Sequence, residues 1–303
     1  MSVCSLSRII LICRDAERLA EFYARAFGFA GRDDPAKADP EFAAMVGRVS
    51  GQARMRTLRL GDQQLVLAQV TPSGRPYPDG VAGYDPLFQH FAIVVSEMAA
   101  AFDALQRVGG WTAISTDGPQ VLPASSGGVT AFKFRDPEGH PLELLQFPSG
   151  RASPSGSAQI GQPCVGIDHS AISVTDTARS LVFYKGLGLA HVGGSLNRGP
   201  QQQKLDGMPD AIVEVTALAP PLQQTPHVEL LCYRGDFARR KVAVDPADAA
   251  ATQLVFSVSG EAFAARIASN RGAVVDTVLA PQGSSRALLR DPDGHLLCLE
   301  SFA

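Results

Sequence analysis

Six histidines, five cysteines and 30 acidic side chains are the groups in this 303-residue chain most able to hold a metal or move a proton. The cysteines (Cys4, Cys13, Cys164, Cys232, Cys298) are odd in number and show no CxxC spacing, which points to reduced thiols. His90 stands in QHFAIVV and His169 in DHSAISV, both apolar, strand-like strings. Glu143 lies in a similar string, GHPLELL, and His227 precedes Glu229 by two residues in HVELLCY. Strand alternation puts His227 and Glu229 on one face. Imidazole nitrogens and carboxylate oxygens suit a divalent cation such as Zn, Ni, Fe, Mn or Co, and ligand type alone does not choose among them. A lone imidazole in a half-buried strand is more often hydrogen-bonded structure than a ligand. The chemistry therefore depends on whether the fold gathers these groups. His140 and His295 each follow Gly in a hairpin turn and read as surface residues; His191, after a helix, also reads as exposed.

The elements that must position these groups come in repeats. Asp15, Arg18, Phe22 and Tyr23 in DAERLAEFY recur as Asp176, Arg179, Phe183 and Tyr184 in DTARSLVFY, an offset of 161. RDPEGHPLE (135–143) recurs as RDPDGHLLC (290–298), an offset of 155. The Gly/Ser/Pro-rich stretch 147–163 separates the copies. The expected organisation is a domain at 1–149, a linker at 150–163 and a second domain at 164–303. Within each half a strand, a helix and further strands occur twice. Arg8–Cys13 predicts a strand and Asp15–Phe27 a helix, capped by Asp15 and stopped by Gly28. RMRTLRLGDQQLVLAQ predicts two strands about a Gly61-Asp62 turn. The unit restarts at FQHFAIVV, at DHSAISV and at TQLVFSV, so the fold class is α+β, with four β-α-β-β-β units. Tyr23 and Tyr184 read as packing residues on their helices.

Hydrophobic residues at 45% and charged residues at 19% are ordinary for a globular chain, and a net charge of −3 favours neither nucleic acid nor an anionic membrane. The apolar stretch Ile9–Cys13 is too short for a signal segment and is interrupted by Arg14 and Asp15. A cytoplasmic protein acting on a small molecule is the expectation, as a monomer or homodimer.

The unit order, the D-x-x-R-x-x-x-F-Y helix and the D-P-x-G hairpin resemble the vicinal oxygen chelate superfamily, the glyoxalase, bleomycin-resistance and extradiol-dioxygenase group. The resemblance covers nearly the whole chain. It implies that paired units form cup-shaped sheets, each cup holding one divalent metal on ligands from the first and last strands of its units. At those positions unit one offers Arg8 and Val66, unit two His90 and Glu143, unit three His169 and Glu229, and unit four Gln253 and Cys298. Cups confined to each half would both be poor sites. Pairing units two and three gives one complete metal set, His90, Glu143, His169 and Glu229, and leaves Arg8, Val66, Gln253 and Cys298 in a cup without ligands. The chain would then be a fused pseudo-dimer.

The four-ligand set is most similar to that of glyoxalase I. This implies a lyase or isomerase in which the metal stabilises an oxyanion and a carboxylate acts as general base, Glu143 first and Glu229 second. Glyoxalase I commonly carries an Arg four residues after its first-strand His and an Asn four residues after its first-unit Glu; here Ser173 and Tyr233 stand there, so glutathione as substrate does not follow. A second reading is an extradiol dioxygenase with His90, His169 and Glu143 on Fe(II), although Lys133 stands where its hairpin usually has Tyr. A third is a small-molecule binding protein of the bleomycin-resistance type. Cys298 reads as a buried thiol.

Overall fold

The computed structural model describes residues 5–149, 163–221, 223–240, 242–278 and 284–302. Most of the expected linker, and Cys4, lie outside the described residues. Unit one comprises β1 (Ser5–Cys13), α1 (Ala16–Phe27), β2 (Lys37–Ala38), α2 (Pro40–Met45), β3 (Gln52–Leu60) and β4 (Gln63–Thr71). Unit two comprises β5 (Gln89–Val95), α3 (Met98–Val108), β6 (Thr112–Ala113), β7 (Gln120–Val121), β8 (Thr130–Arg135) and β9 (Pro141–Gln146). Unit three comprises β10 (Cys164–Ser173), α4 (Thr177–Leu187), β11 (Ala190–Arg198), α5 (Pro200–Asp206), β12 (Ile212–Ala219) and β13 (His227–Tyr233). Unit four comprises β14 (Gln253–Ser259), α6 (Gly260–Ser269), β15 (Val274–Val278), β16 (Arg286–Arg290) and β17 (Leu296–Phe302).

The units pair across the halves. One sheet runs β11-β12-β13-β10-β5-β9-β8-β6, joining units three and two; the other runs β15-β16-β17-β14-β1-β4-β3-β2, joining units four and one. The joints are the antiparallel pairs β10·β5, with Ala171 opposite His90, and β1·β14, with Ile10 opposite Gln253. One continuous apolar cluster takes in side chains from both sheets and from α1, α3, α4 and α6. Among the described residues no helix is long and apolar enough to cross a membrane.

The repeated motifs meet each other in space. Asp15 and Asp176 are the helix N-caps, accepting from the backbone N–H of Arg18 and Arg179, which is why Asp opens both copies. Gly28 and Gly188 close the helices in the left-handed region. The Tyr23 hydroxyl donates to Asp136 (2.9 Å) and that of Tyr184 to Asp291 (3.0 Å), so each FY helix is fastened to the D-P-x-G hairpin of the other sheet. Both tyrosines are fully buried, as packing residues should be.

His140 and His295 correct the sequence reading. They are 1% and 7% exposed, not surface turn residues. Asp136 and Asp291 accept from the backbone N–H of His140 and His295, folding each turn back on itself. The rings then reach inward: His140 Nε2 lies 3.0 Å from the Ile12 carbonyl and His295 Nε2 lies 2.8 Å from the Ser173 carbonyl. A turn is usually exposed, but here it packs on the neighbouring sheet, so its His serves as a cross-sheet tie. His191 is exposed and Cys298 is buried, as expected.

Candidate metal centre

Four consecutive strands, β13-β10-β5-β9, carry Glu229, His169, His90 and Glu143 in that order. Their register is regular: Ala171 pairs with Glu229 and Ala92 with Glu143, so each carboxylate lies level with the residue two beyond a histidine and shares its face. The equivalent pairs in the other sheet are Ile10 with Val66 and Val255 with Cys298.

The side chains converge on a cavity of about 390 Å³ lined by His90, Lys133, Glu143, His169, His227 and Glu229, among others. Candidate ligand atoms of His90, Glu143 and His169 lie within 4.8 Å of one another. His90 Nε2 is 2.9 Å from Glu143 Oε2, and His169 Nε2 is 3.6 Å from Glu229 Oε2. Glu229 stands between two imidazoles, its other oxygen lying 3.5 Å from His227 Nε2.

Two observations show that the donor set fits a cation. The close approach of His90 to Glu143 is not aligned as a hydrogen bond, and both buried ring nitrogens of His90 lack a hydrogen-bond partner. Leaving such groups unpaired is costly unless something else satisfies them. His169 Nδ1 is 2.9 Å from Asp168 Oδ2. A carboxylate on Nδ1 fixes the ring so that Nε2 carries the lone pair, as supporting residues do for metal-bound imidazoles. Neighbouring strand residues normally point apart; here the β10·β5 register slips between Ile167 and Ser170, and this bulge lets Asp168 reach His169.

The electrostatics follow the geometry. Burial pushes the His90 imidazole below its ordinary value, against the pull of Glu143. Burial also acts on His169, but Glu229 and Asp168 outweigh it and raise this imidazole to about 9. Burial would raise both carboxyls. His90 and Lys133 instead hold Glu143 below its ordinary value, while His169 and His227 bring Glu229 down to about 2. Lys133 lies opposite Glu143 across β8·β9 and is 5% exposed. Its Nζ donates to Asp206 Oδ1 at 2.7 Å; burial opposes its charge, but Asp206 keeps it protonated. Asp168, Asp206 and Gln202 escaped the sequence reading. Asp168 had a signal, as an acid directly before a strand histidine. Asp206 and Gln202 had none, because nothing in PQQQKLD shows which wall α5 will face.

Facing β-α-β-β-β units that close on a His/Glu-lined cup define the class of this molecule. Residues 5–144, which hold units one and two, match the family model described as the Glyoxalase/Bleomycin resistance protein/Dioxygenase superfamily, so this part of the chain carries that superfamily's sequence signature. Glyoxalase I from Zea mays has a similar fold, with a TM-score of 0.63, 18% identity, and coverage of 98% of this chain and 92% of that one. A Bacillus subtilis protein described as a candidate dioxygenase has a TM-score of 0.56 and 14% identity, covering 99% of this chain and 86% of that one. No curated protein matches by sequence.

Proposed function

We propose that the chain is a metal-dependent lyase or isomerase of glyoxalase I type, acting on a small oxygenated metabolite at one site built from the two central units. The observation that carries this reading is the twofold pairing of a histidine Nε2 with a glutamate Oε2, His90 with Glu143 and His169 with Glu229, on four adjacent strands. These four residues would hold one divalent ion. When bound, that ion supplies Lewis acidity to an oxygen of the substrate. Glu143 and Glu229 are both held ionised at neutral pH, so either can accept a proton. Glu143 takes the proton from the carbon beside the carbonyl and returns it to the adjacent carbon; Glu229 is second in line. The Lys133 ammonium, opposite Glu143 on β8, favours the ionised form of that carboxyl. His227 flanks Glu229, its Nε2 3.5 Å from Oε1. The division into domains 1–149 and 164–303 belongs to the same proposal, because the site then requires both domains.

The test is metal content per chain by elemental analysis. One ion is expected, with loss in His90→Ala and in His169→Ala; two ions in the wild type would overturn the single-site reading. The Glu143→Gln variant should retain substrate binding and lose turnover.

One observation favours a second reading. Of the four proposed ligands, His90, Glu143 and His169 fall together within 4.8 Å without Glu229 (Asp168, His169 and His227 form a second such group among the described residues), and two histidines with one carboxylate suit Fe(II) oxygen chemistry. Iron-specific turnover of a catechol, lost on oxidation, would establish it in place of the first.

A further inference from the structure

We infer that the wall of the cavity made by β11 and α5 reads a neutral hydroxyl group of the substrate and disfavours a carboxylate. This deepens the metal-site reading and rests on it. Gln202 is 2% exposed and lines the cavity. Its Nε2 donates to Asp206 Oδ2 at 2.7 Å, while Lys133 donates to the other Asp206 oxygen. A carboxylate facing an ammonium accepts hydrogen bonds, so the Gln202 amide is held with its nitrogen toward Asp206 and its oxygen away. That oxygen, Oε1, is buried and has no partner. Asn197, at the end of β11, lines the same cavity, and its Oδ1 is also buried without a partner.

The unpaired Gln202 atom, whose orientation Asp206 fixes, is an acceptor, so what satisfies it is a donor. The wall is fixed from across the halves: Ser115 Oγ donates to the Leu205 carbonyl and Thr116 N–H to the Lys204 carbonyl, both at 2.8 Å. Gly207 ends α5 at φ 61°, and a Cβ there would lie 2.3 Å from the Ile114 carbonyl, so the close approach requires glycine. The charge around the cavity points the same way. Among the described residues lining it, Glu143, Asp168 and Glu229 are acidic, no arginine is present, and Lys133 is engaged by Asp206. A carboxylate at this wall would face the acceptor oxygen of Gln202 with no free cation among the described lining residues. A hydroxyl would complete Gln202.

The experiment uses zinc-loaded full-length chain and three hydroxamic acids of equal length, ending in a hydroxyl, a methyl ether or a carboxylate. Affinities are measured by calorimetry. The hydroxyl probe should bind about tenfold more tightly than the ether, the typical effect of one satisfied hydrogen bond. The carboxylate probe should bind most weakly, with a deficit that shrinks as salt is raised. Gln202→Met should bring the hydroxyl probe down to the level of the ether. Equal binding of hydroxyl and ether, or preference for the carboxylate, would overturn the inference, and the wild-type series decides this even where the variant does not fold. Zinc retained with no tail preference refutes the hydroxyl reading alone. No zinc and no binding of any probe refutes the metal site, and the inference with it.

Discussion

The inner cup, from units two and three, and the outer cup, from units one and four, use equivalent strands in equivalent order. Only the inner one carries the His/Glu set beside a cavity. The difference lies in the short helix between the second and third main strands of units one and three. In unit one that helix is α2, PEFAAM. Its Phe42 and Met45, with Val46, pack against Ile10, Ile12, Val66, Val255 and Cys298, filling the outer cup with side chains. In unit three it is α5, PQQQKLD, whose buried residues include Gln202 and Asp206. An apolar helix makes a plug, and a polar one makes a binding wall. The ligand positions follow suit. Arg8, where His169 would stand, is turned to Glu300 at 2.8 Å, and Glu300 is also bound by Arg286. Gln253, where His90 would stand, is 0% exposed with both amide atoms unpartnered.

The sharpest way to break this comparison is to divide the chain. Residues 1–149 alone contain His90 and Glu143 but not His169 or Glu229, and both sheets lose their central joint. Metal binding by either isolated half, read by elemental analysis, should be abolished. The next largest effect concerns ion pairs. Lys133→Met leaves Asp206 buried without its cation, which should cost about 3–5 kcal/mol in urea unfolding. Arg8→Met in the half-open outer pair should cost about 1 kcal/mol or less. Equal losses would mean that the two cups are closed by the same forces.

His169→Ala should weaken metal affinity by about a hundredfold or more, whereas Arg8→Ala should leave it unchanged, as measured by competition with a chelator. Metal affinity should also depend on pH. The metal-free His169 is held near 9, so below that value binding must displace a proton. Affinity should therefore fall about tenfold for each unit that pH drops below 9. An affinity that stays flat from pH 9 down to pH 5 would remove His169 from the ligand set. The smallest effect is expected at Gln253. Its replacement by Leu removes two unpaired polar atoms from the outer core and should stabilise the fold by about 1 kcal/mol, with metal content unchanged. A large loss of stability would show that the outer cup needs its polar centre.

The cup pairing was legible because the ligand types are distributed unevenly among the units. Arg8 and Val66 in unit one, and Gln253 and Cys298 in unit four, could not complete a site. Only pairing the middle units could, and the sheet order agrees. His140 and His295 were not legible. Their local signal is a glycine turn, and their burial comes from contact with Ile12 and Ser173, more than a hundred residues away in the chain.

The positions of His90, Glu143, His169 and Glu229 were picked out through the family resemblance, and the sequence by itself determined the four units and the N-caps that open α1 and α4. These rest on local patterns: a period of two in strands, an Asp three residues before the N–H it caps, and motifs repeated at near-equal offsets. Only the tertiary structure decided which helix plugs a cup and which lines one. It also brought Asp168 onto His169 through a bulge and tied Lys133 to Asp206 across the two halves. Those outcomes depend on sheet register and on which surfaces meet, and neither is encoded within the reach of a single helix or strand.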